Sequence, residues 1–232
     1  MSTHTQYTAG RTAARTGAIL TLFAMLFTAA MAYTYRLTKP DIEAAIAQTK
    51  RSLITEILPP ASYDNALLDD RVLVPPTPEL GLDEGGEVYR ARKDGAPVAL
   101  IVEAAAPNGY GGTIALILSV SPDGRLNGVR VTDHKETPGL GDYVDRKKDS
   151  NKDRPWIDQF EGLSFDTVPQ DAWKVRKDGG RFDYHTGATI SARAVLGTVS
   201  AALAWTRAHE DALFAAPTDS TLAPAQAGGT PQ

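Results

Sequence analysis

The chain has 232 residues, a formal net charge of −4 and no cysteine. The acidic balance argues against a nucleic-acid partner, which would call for a basic surface. Without cysteine there is no disulfide, no Cys-ligated iron–sulfur cluster, no thioether-attached haem and no thiol catalysis, so any redox work needs a bound organic cofactor. With an N-terminal hydrophobic segment and a tail set aside, enough chain remains for one domain, or two intimate lobes, with a real core.

Residues 1–15 are polar and carry Arg11 and Arg15 but no acid. Residues 16–35 are uncharged and long enough to span a bilayer. Tyr33 and Tyr35 fall where interfacial aromatics sit, and Arg36 and Lys39 follow. Two readings are open. One is a retained single-pass transmembrane anchor. The other is a cleaved signal peptide, because Ala30-Met31-Ala32 has the small-x-small shape of a cleavage site. The length of the apolar run favours the anchor. The acid-free arm then favours a cytoplasmic location for residues 1–15 and an external one for the bulk of the chain.

Asp41 to Leu58 predicts an amphipathic helix within a juxtamembrane segment, 36–60. Ile42, Ile46, Leu53, Ile57 and Leu58 share one face, Thr38 is the expected N-cap, and Pro59-Pro60 ends the helix. It reads equally as a stalk against partner subunits or as a helix packed on its own domain. Residues 60–86 are irregular, with a short strand near Arg71–Val74. Strands are then predicted over Val88–Arg92, Pro97–Ala105, Thr113–Val120 and Leu126–His134. The Lys93-Asp94-Gly95-Ala96 and Ser121-Pro122-Asp123-Gly124 turns separate members of this antiparallel meander. Pro155–Phe160 predicts a short helix, and Asp166–Gln170 and Trp173–Lys177 short strand-like pieces. A long helix is expected over Ile190–Phe214, with Ala188, Ala192, Val195, Val199 and Leu203 at helical spacing. Residues 215–232 predict a disordered tail.

Two stretches stand out chemically. Thr186-Gly187-Ala188-Thr189 leads into the last helix. A helix N-terminus has unpaired N–H groups and a positive dipole end, so it stabilises a phosphate, and a threonine hydroxyl can form a phosphoester. The plainer alternative is that Thr186 or Asp183 caps the helix. Glu136-Thr137-Pro138-Gly139-Leu140-Gly141 is a tight turn with little side chain, suited to a flat ring system or to a simple change of direction. No spacing of His and carboxylates reads as a metal site. Gly162-Leu163-Ser164 lacks the second glycine of a nucleophile elbow, and no other set of residues reads as a catalytic centre.

Tyr110-Gly111-Gly112, the Ser121–Leu126 turn, His134–Asp142, Trp156–Phe160 and Asp183-x-x-Thr186-Gly187-Ala188-Thr189-Ile190-Ser191 occur in the order found in FMN-binding domains. With one N-terminal transmembrane segment, the chain resembles the G subunits of Rnf (or Rsx) ion-translocating electron-transport complexes from roughly Thr16 to Glu210. Tyr184-His185 departs from the smaller or aliphatic residue expected before the motif.

The resemblance implies an α+β fold, in which a transmembrane helix precedes an FMN-binding domain (61–214) of antiparallel sheet packed with helices. It implies FMN joined through its phosphate to Thr189, with Thr186, Gly187 and Ala188 alongside. The turn of Glu136, Thr137, Pro138, Gly139, Leu140 and Gly141 would lie against the isoalloxazine. Asp183 and Thr186–Ala188 would be read by a flavin transferase using FAD as donor. The resemblance further implies a complex that moves electrons between NADH and ferredoxin and couples this to Na⁺ or H⁺ movement. This subunit would sit on the periplasmic side of a bacterial inner membrane. It would exchange electrons with an iron–sulfur centre of the A and E subunits and with the flavin of the D subunit, in a complex completed by B and C. It would have no independent activity. The alternatives are the C subunit of Na⁺-translocating NADH:quinone reductase, which shares the motif but is generally longer, and a membrane-anchored structural or binding protein without flavin.

Overall fold

The structure is a computed structural model that describes residues 9–223. The first helix, α1 (Ala9–Ile57), runs without a break through Pro40. The expected separation into a transmembrane helix and a second helix capped by Thr38 is therefore corrected: the Thr38 hydroxyl donates back to Thr34 O at 3.0 Å. Proline removes one ladder hydrogen bond, which is tolerable where the helix surface is exposed, as it is here on both sides of Pro40. Of the face expected to be shared, Ile42 and Ile46 are exposed, whereas Leu53, Ile57 and Leu58, with Ile54, are buried. The apolar stretch near the N-terminus is long and apolar enough to cross a membrane. Within the predicted N-terminal arm, residues 1–8 lie outside the described residues.

Residues from Lys50 onward form a separate compact unit. It is built on a five-stranded antiparallel sheet in simple sequential order. The strands are β1 (Arg71–Val74), β2 (Gly86–Lys93), β3 (Ala96–Ala106), β4 (Ile114–Val120) and β5 (Leu126–Asp133). The β2–β3 hairpin turns on Asp94 and Gly95, both at positive φ, which is the geometry that matches strand twist. At the β4–β5 turn, Gly124 N donates to Ser121 O at 2.8 Å with Gly124 at φ 72°.

Both faces of the sheet are covered. On one, Ile101, Ile117, Ala91 and Ala99 pack with Ile54 and Ile57 from the end of α1 and with Leu58 just after it. On the other, Val102, Leu116, Leu118 and Val129 meet α2 (Thr189–Ala215) and the aromatic group Trp156, Phe160 and Trp173. The inward stripe of α2 is Ala192, Val195, Leu196, Val199 and Leu203, each at most 1% exposed. Truncating Leu196 to alanine would cost about 2–5 kcal/mol. The domain is thus α+β, with helices packed on an antiparallel sheet.

Two further expectations are corrected. Asp166–Gln170 and Trp173–Lys177 are not strands. They contain short 3₁₀ turns at Gln170–Ala172 and Arg176–Asp178, joined to the sequence that follows by a single parallel bridge, Val175 to Phe182. The residues after α2 are not a disordered tail as far as they are described. Leu73 N donates to Ser220 O at 2.9 Å and Leu222 N to Leu73 O at 2.8 Å, so this segment covers the edge of β1. Arg90, 2% exposed, holds the end of α2 by donating to Leu213 O at 3.1 Å while paired with Asp70. Residues 224–232 of the predicted tail lie outside the described residues.

Candidate functional site

Two tight turns face one another at the N-terminal end of α2. In the first, Leu140 N donates to Thr137 O at 3.0 Å, with Pro138 and Gly139 at the centre and Gly139 at φ 73°. This is the sequence requirement of a type II turn. In the second, Ala188 N donates to His185 O at 3.1 Å, with Gly187 at φ 91°. Between them lies a cleft of about 280 Å³ lined by Glu136, Thr137, Leu140 and Gly141 from one side and Gly187, Ala188, Ile190 and Ser191 from the other, with Tyr110 at the rim. That volume is just below the ~300–1,000 Å³ of sites that enclose a whole small molecule, so it houses part of one.

The two stretches that stand out in the sequence, about 50 positions apart, therefore build one site. Not all their residues play the expected part. Pro138 and Gly139 shape the turn, and Gly139 is exposed with nothing within 4 Å of an added Cβ. Gly141 does not clear room for a ring. A Cβ there would fall 2.4 Å from Glu136 Oε2 and 2.6 Å from Ser191 Oγ, so its small size makes room for those side chains. Asp183 lies away from the cleft, exposed, with its carboxylate 3.1 Å from Arg176 Nε.

Thr189 is the first residue of α2 and half-buried. Neither Thr186 nor Asp183 caps this helix: the N-cap position is Ala188, and no side chain bonds to the first-turn N–H groups. The first turn also carries no acidic residue. Among the described residues no group hydrogen-bonds to the Thr189 hydroxyl. Gly187 would meet nothing within 4 Å if it carried a Cβ, so the approach to the turn is open. An uncapped helix start beside a cleft is an arrangement that suits a phosphate-bearing group.

Side chains that the sequence pattern assigns to the core, or leaves unremarked, hold this backbone. The Tyr143 hydroxyl donates to Ala188 O at 3.2 Å and accepts from His185 N at 3.3 Å. Burial pushes the Tyr143 phenol up to about 12, against the His185 N–H and with the charges of Asp149 and Glu136 adding to it. Trp156 Nε1 donates to Asp183 O at 2.6 Å, and Trp156 stands edge-on to Tyr143. The unexpected His185 stacks on Tyr143. Tyr110, Leu140 and Ile190 are 69%, 53% and 48% exposed; outside α1 they are the exposed large hydrophobics among the described residues, and all three border the cleft. Ile190 and Ser191 follow directly on the Thr186–Thr189 motif, but only the fold shows that they face Glu136 and the cleft.

Comparison with known proteins agrees with this geometry. The FMN-binding domain family matches residues 109–204, and the RnfG N-terminal region family matches residues 1–57. The G subunit of the ion-translocating oxidoreductase complex of Pseudoalteromonas atlantica is 41% identical over 203 residues, covering 88% of this chain and 92% of that protein. The chain belongs to the Rnf G-subunit family. Further G subunits, from Pseudomonas aeruginosa and Shewanella loihica, are 40% and 38% identical, over 88% and 89% of this chain and 94% and 95% of theirs. As an Rnf G subunit the chain is part of an ion-translocating oxidoreductase complex, with an FMN-binding domain that contains the cleft just described.

Proposed function

We propose that this protein carries FMN as a covalent phosphoester on Thr189 and serves as an electron relay within its complex. The observation that carries the reading is the meeting of Glu136, Thr137, Leu140 and Gly141 with Gly187, Ala188, Ile190 and Ser191 across one cleft. Thr189 does not line the cleft, but both its chain neighbours do. The uncapped N-terminus of α2 holds the phosphate. Thr137, Leu140 and Ile190 receive the apolar ring portion, and Tyr110 shields it at the rim. The flavin supplies reversible one- and two-electron redox chemistry to a chain that has no cysteine.

Loading requires a donor. Thr189 Oγ1 forms a bond to the phosphorus of the FMN half of FAD, the hydroxyl proton is lost to a base, and AMP leaves with the electrons of the broken P–O bond. A flavin transferase performs this step, reading Asp183 and the Thr186–Ala188 turn. The exposure of Asp183 and the open approach at Gly187 support its access. The apolar helix anchors the chain in the bacterial inner membrane with the flavin domain in the periplasm. There the protein passes electrons among the other Rnf subunits, A and E on one side and D on the other, with B and C completing the complex. The whole moves electrons between NADH and ferredoxin and couples this to Na⁺ or H⁺ movement.

Flavin fluorescence in a denaturing gel tests the attachment. The full chain co-produced with a flavin transferase gives a fluorescent band, and Thr189→Ala gives none. A dark wild-type band under those conditions contradicts the proposal. Co-purification of the remaining Rnf subunits tests the assignment to that complex.

A further inference from the structure

We propose that Glu136 is the positioning residue of the flavin site: its carboxylate fixes the acceptor turn against the glycine loop and lowers the reduction potential of the attached flavin. The inference rests on Thr189 being the attachment residue, and adds a role for a side chain that family resemblance places only against the ring.

Glu136 lies just beyond β5 and is 4% exposed. Its Oε1 accepts the Gly111 N–H at 2.9 Å, and its Oε2 accepts the Ser191 hydroxyl at 2.5 Å. Ser191 is two residues after Thr189. One carboxylate thereby joins the 108–112 loop, the 136–141 turn and the first turn of α2. The surrounding backbone is cleared for it. A Cβ on Gly109 would fall 2.7 Å from Oε1, and one on Gly141 would fall 2.4 Å from Oε2. On Gly111, a Cβ would fall 1.9 Å from Lys135 O, against the strand end that presents Glu136. Glycine at 141 makes room for the carboxylate itself; at 109 it also clears Gly112 O, 2.3 Å from an added Cβ, and at 111 it lets the loop lie close against the backbone before Glu136.

Among the described residues no Lys, Arg or His forms an ion pair with Glu136. A buried acid without a cation is costly, and an apolar residue would pack the same space more cheaply. Its position on the lining of the cleft gives the cost a use. A negative group acting through a poorly solvated medium opposes the arrival of an electron on a neighbouring ring. Glutamine separates the two roles. Its carbonyl can accept from Gly111 N–H, and its amide can donate to Ser191 Oγ, so the bracket survives while the charge is lost.

The test uses the full chain as wild type, Glu136→Ala and Glu136→Gln. Each is incubated with FAD and flavin transferase, loading is followed by intact mass, and the potential of the bound flavin is read by spectroelectrochemistry. Glu136→Ala should load roughly a hundredfold more slowly, as a displaced nucleophile does. Glu136→Gln should load at the wild-type rate and carry a flavin of higher potential. Thermal denaturation before loading shows whether Glu136→Ala is folded; if it is not, Glu136→Gln decides. Wild-type loading in a folded Glu136→Ala, failure of Glu136→Gln to load, or an unchanged potential in Glu136→Gln overturns the inference alone. A wild-type chain that takes up no flavin overturns the attachment reading and this inference with it.

Discussion

The Tyr143 ring stacks on the His185 imidazole with centroids 3.8 Å apart and planes 19° from parallel. Its hydroxyl spans the turn that His185 opens and Ala188 closes. Tyr143→Phe keeps the stack and removes both hydrogen bonds, leaving a backbone N–H and a C=O without their partner. Such losses cost about 1–3 kcal/mol in buried surroundings. The expected drop in thermal midpoint is roughly 2–4 °C per kcal/mol for a domain of this size. Flavin loading should slow as well, because Thr189 follows directly on the loosened turn. Calorimetry of the detergent-solubilised chain and a loading time course check the two parts.

The two glycines of the Glu136–Gly141 turn should behave differently. Gly141→Ala places a methyl group against Glu136 and Ser191 and should cost about 1–3 kcal/mol through overpacking. Gly139→Ala meets no atom within 4 Å but must adopt φ 73°, so its cost should be about 1–2 kcal/mol and confined to local backbone strain. Gly141→Ala should therefore impair loading the more. Equal loading in the two variants would show that Gly141 does not protect the Glu136–Ser191 contact.

Much of this was legible in the sequence because it was local. Asp94-Gly95 and Ser121–Gly124 mark the hairpins, and short apolar runs mark the strands between them. The Thr186–Thr189 motif and the Glu136–Gly141 turn can be recognised separately. Their meeting across a cleft depends on the way α2 crosses the sheet, which no local pattern encodes. Trp173 and Val175 are buried while Lys174 is exposed, a strand-like alternation that an irregular turn satisfies equally well. The segment after α2 looked disordered by composition, yet its backbone finds partners on β1, far away in sequence. Thr38 has the chemistry of an N-cap, but the exposed helix runs on through Pro40 and tolerates the lost hydrogen bond.

Acid should loosen the sheet at Glu87. Burial opposes ionisation there, but the Tyr89 hydroxyl and the charges of Lys50 and Arg71 together hold the Glu87 carboxyl below its ordinary value of 4.5. A carboxyl lowered in the folded state stabilises the fold above its unfolded value, and this contribution is lost as pH falls through the lowered one. The thermal midpoint should therefore fall as pH drops below about 4.5, and Glu87→Gln should remove part of that slope. Midpoints measured across this range for both chains provide the check.

The absence of native cysteine makes the orientation of the domain easy to test. Ala96 is exposed at the tip of the β2–β3 hairpin. With the flavin domain in the periplasm, Ala96→Cys should react with a membrane-impermeant maleimide once the outer membrane is permeabilised. Labelling only after lysis of the inner membrane would place the domain in the cytoplasm.

The most direct test of the central claim is the intact mass of the purified full chain, produced with and without flavin transferase. With the transferase, the wild-type chain should gain the mass of one FMN less one water. Thr189→Ala should keep its unmodified mass under both conditions. An unmodified wild-type chain in the presence of active transferase, or the same adduct on Thr189→Ala, would contradict the account.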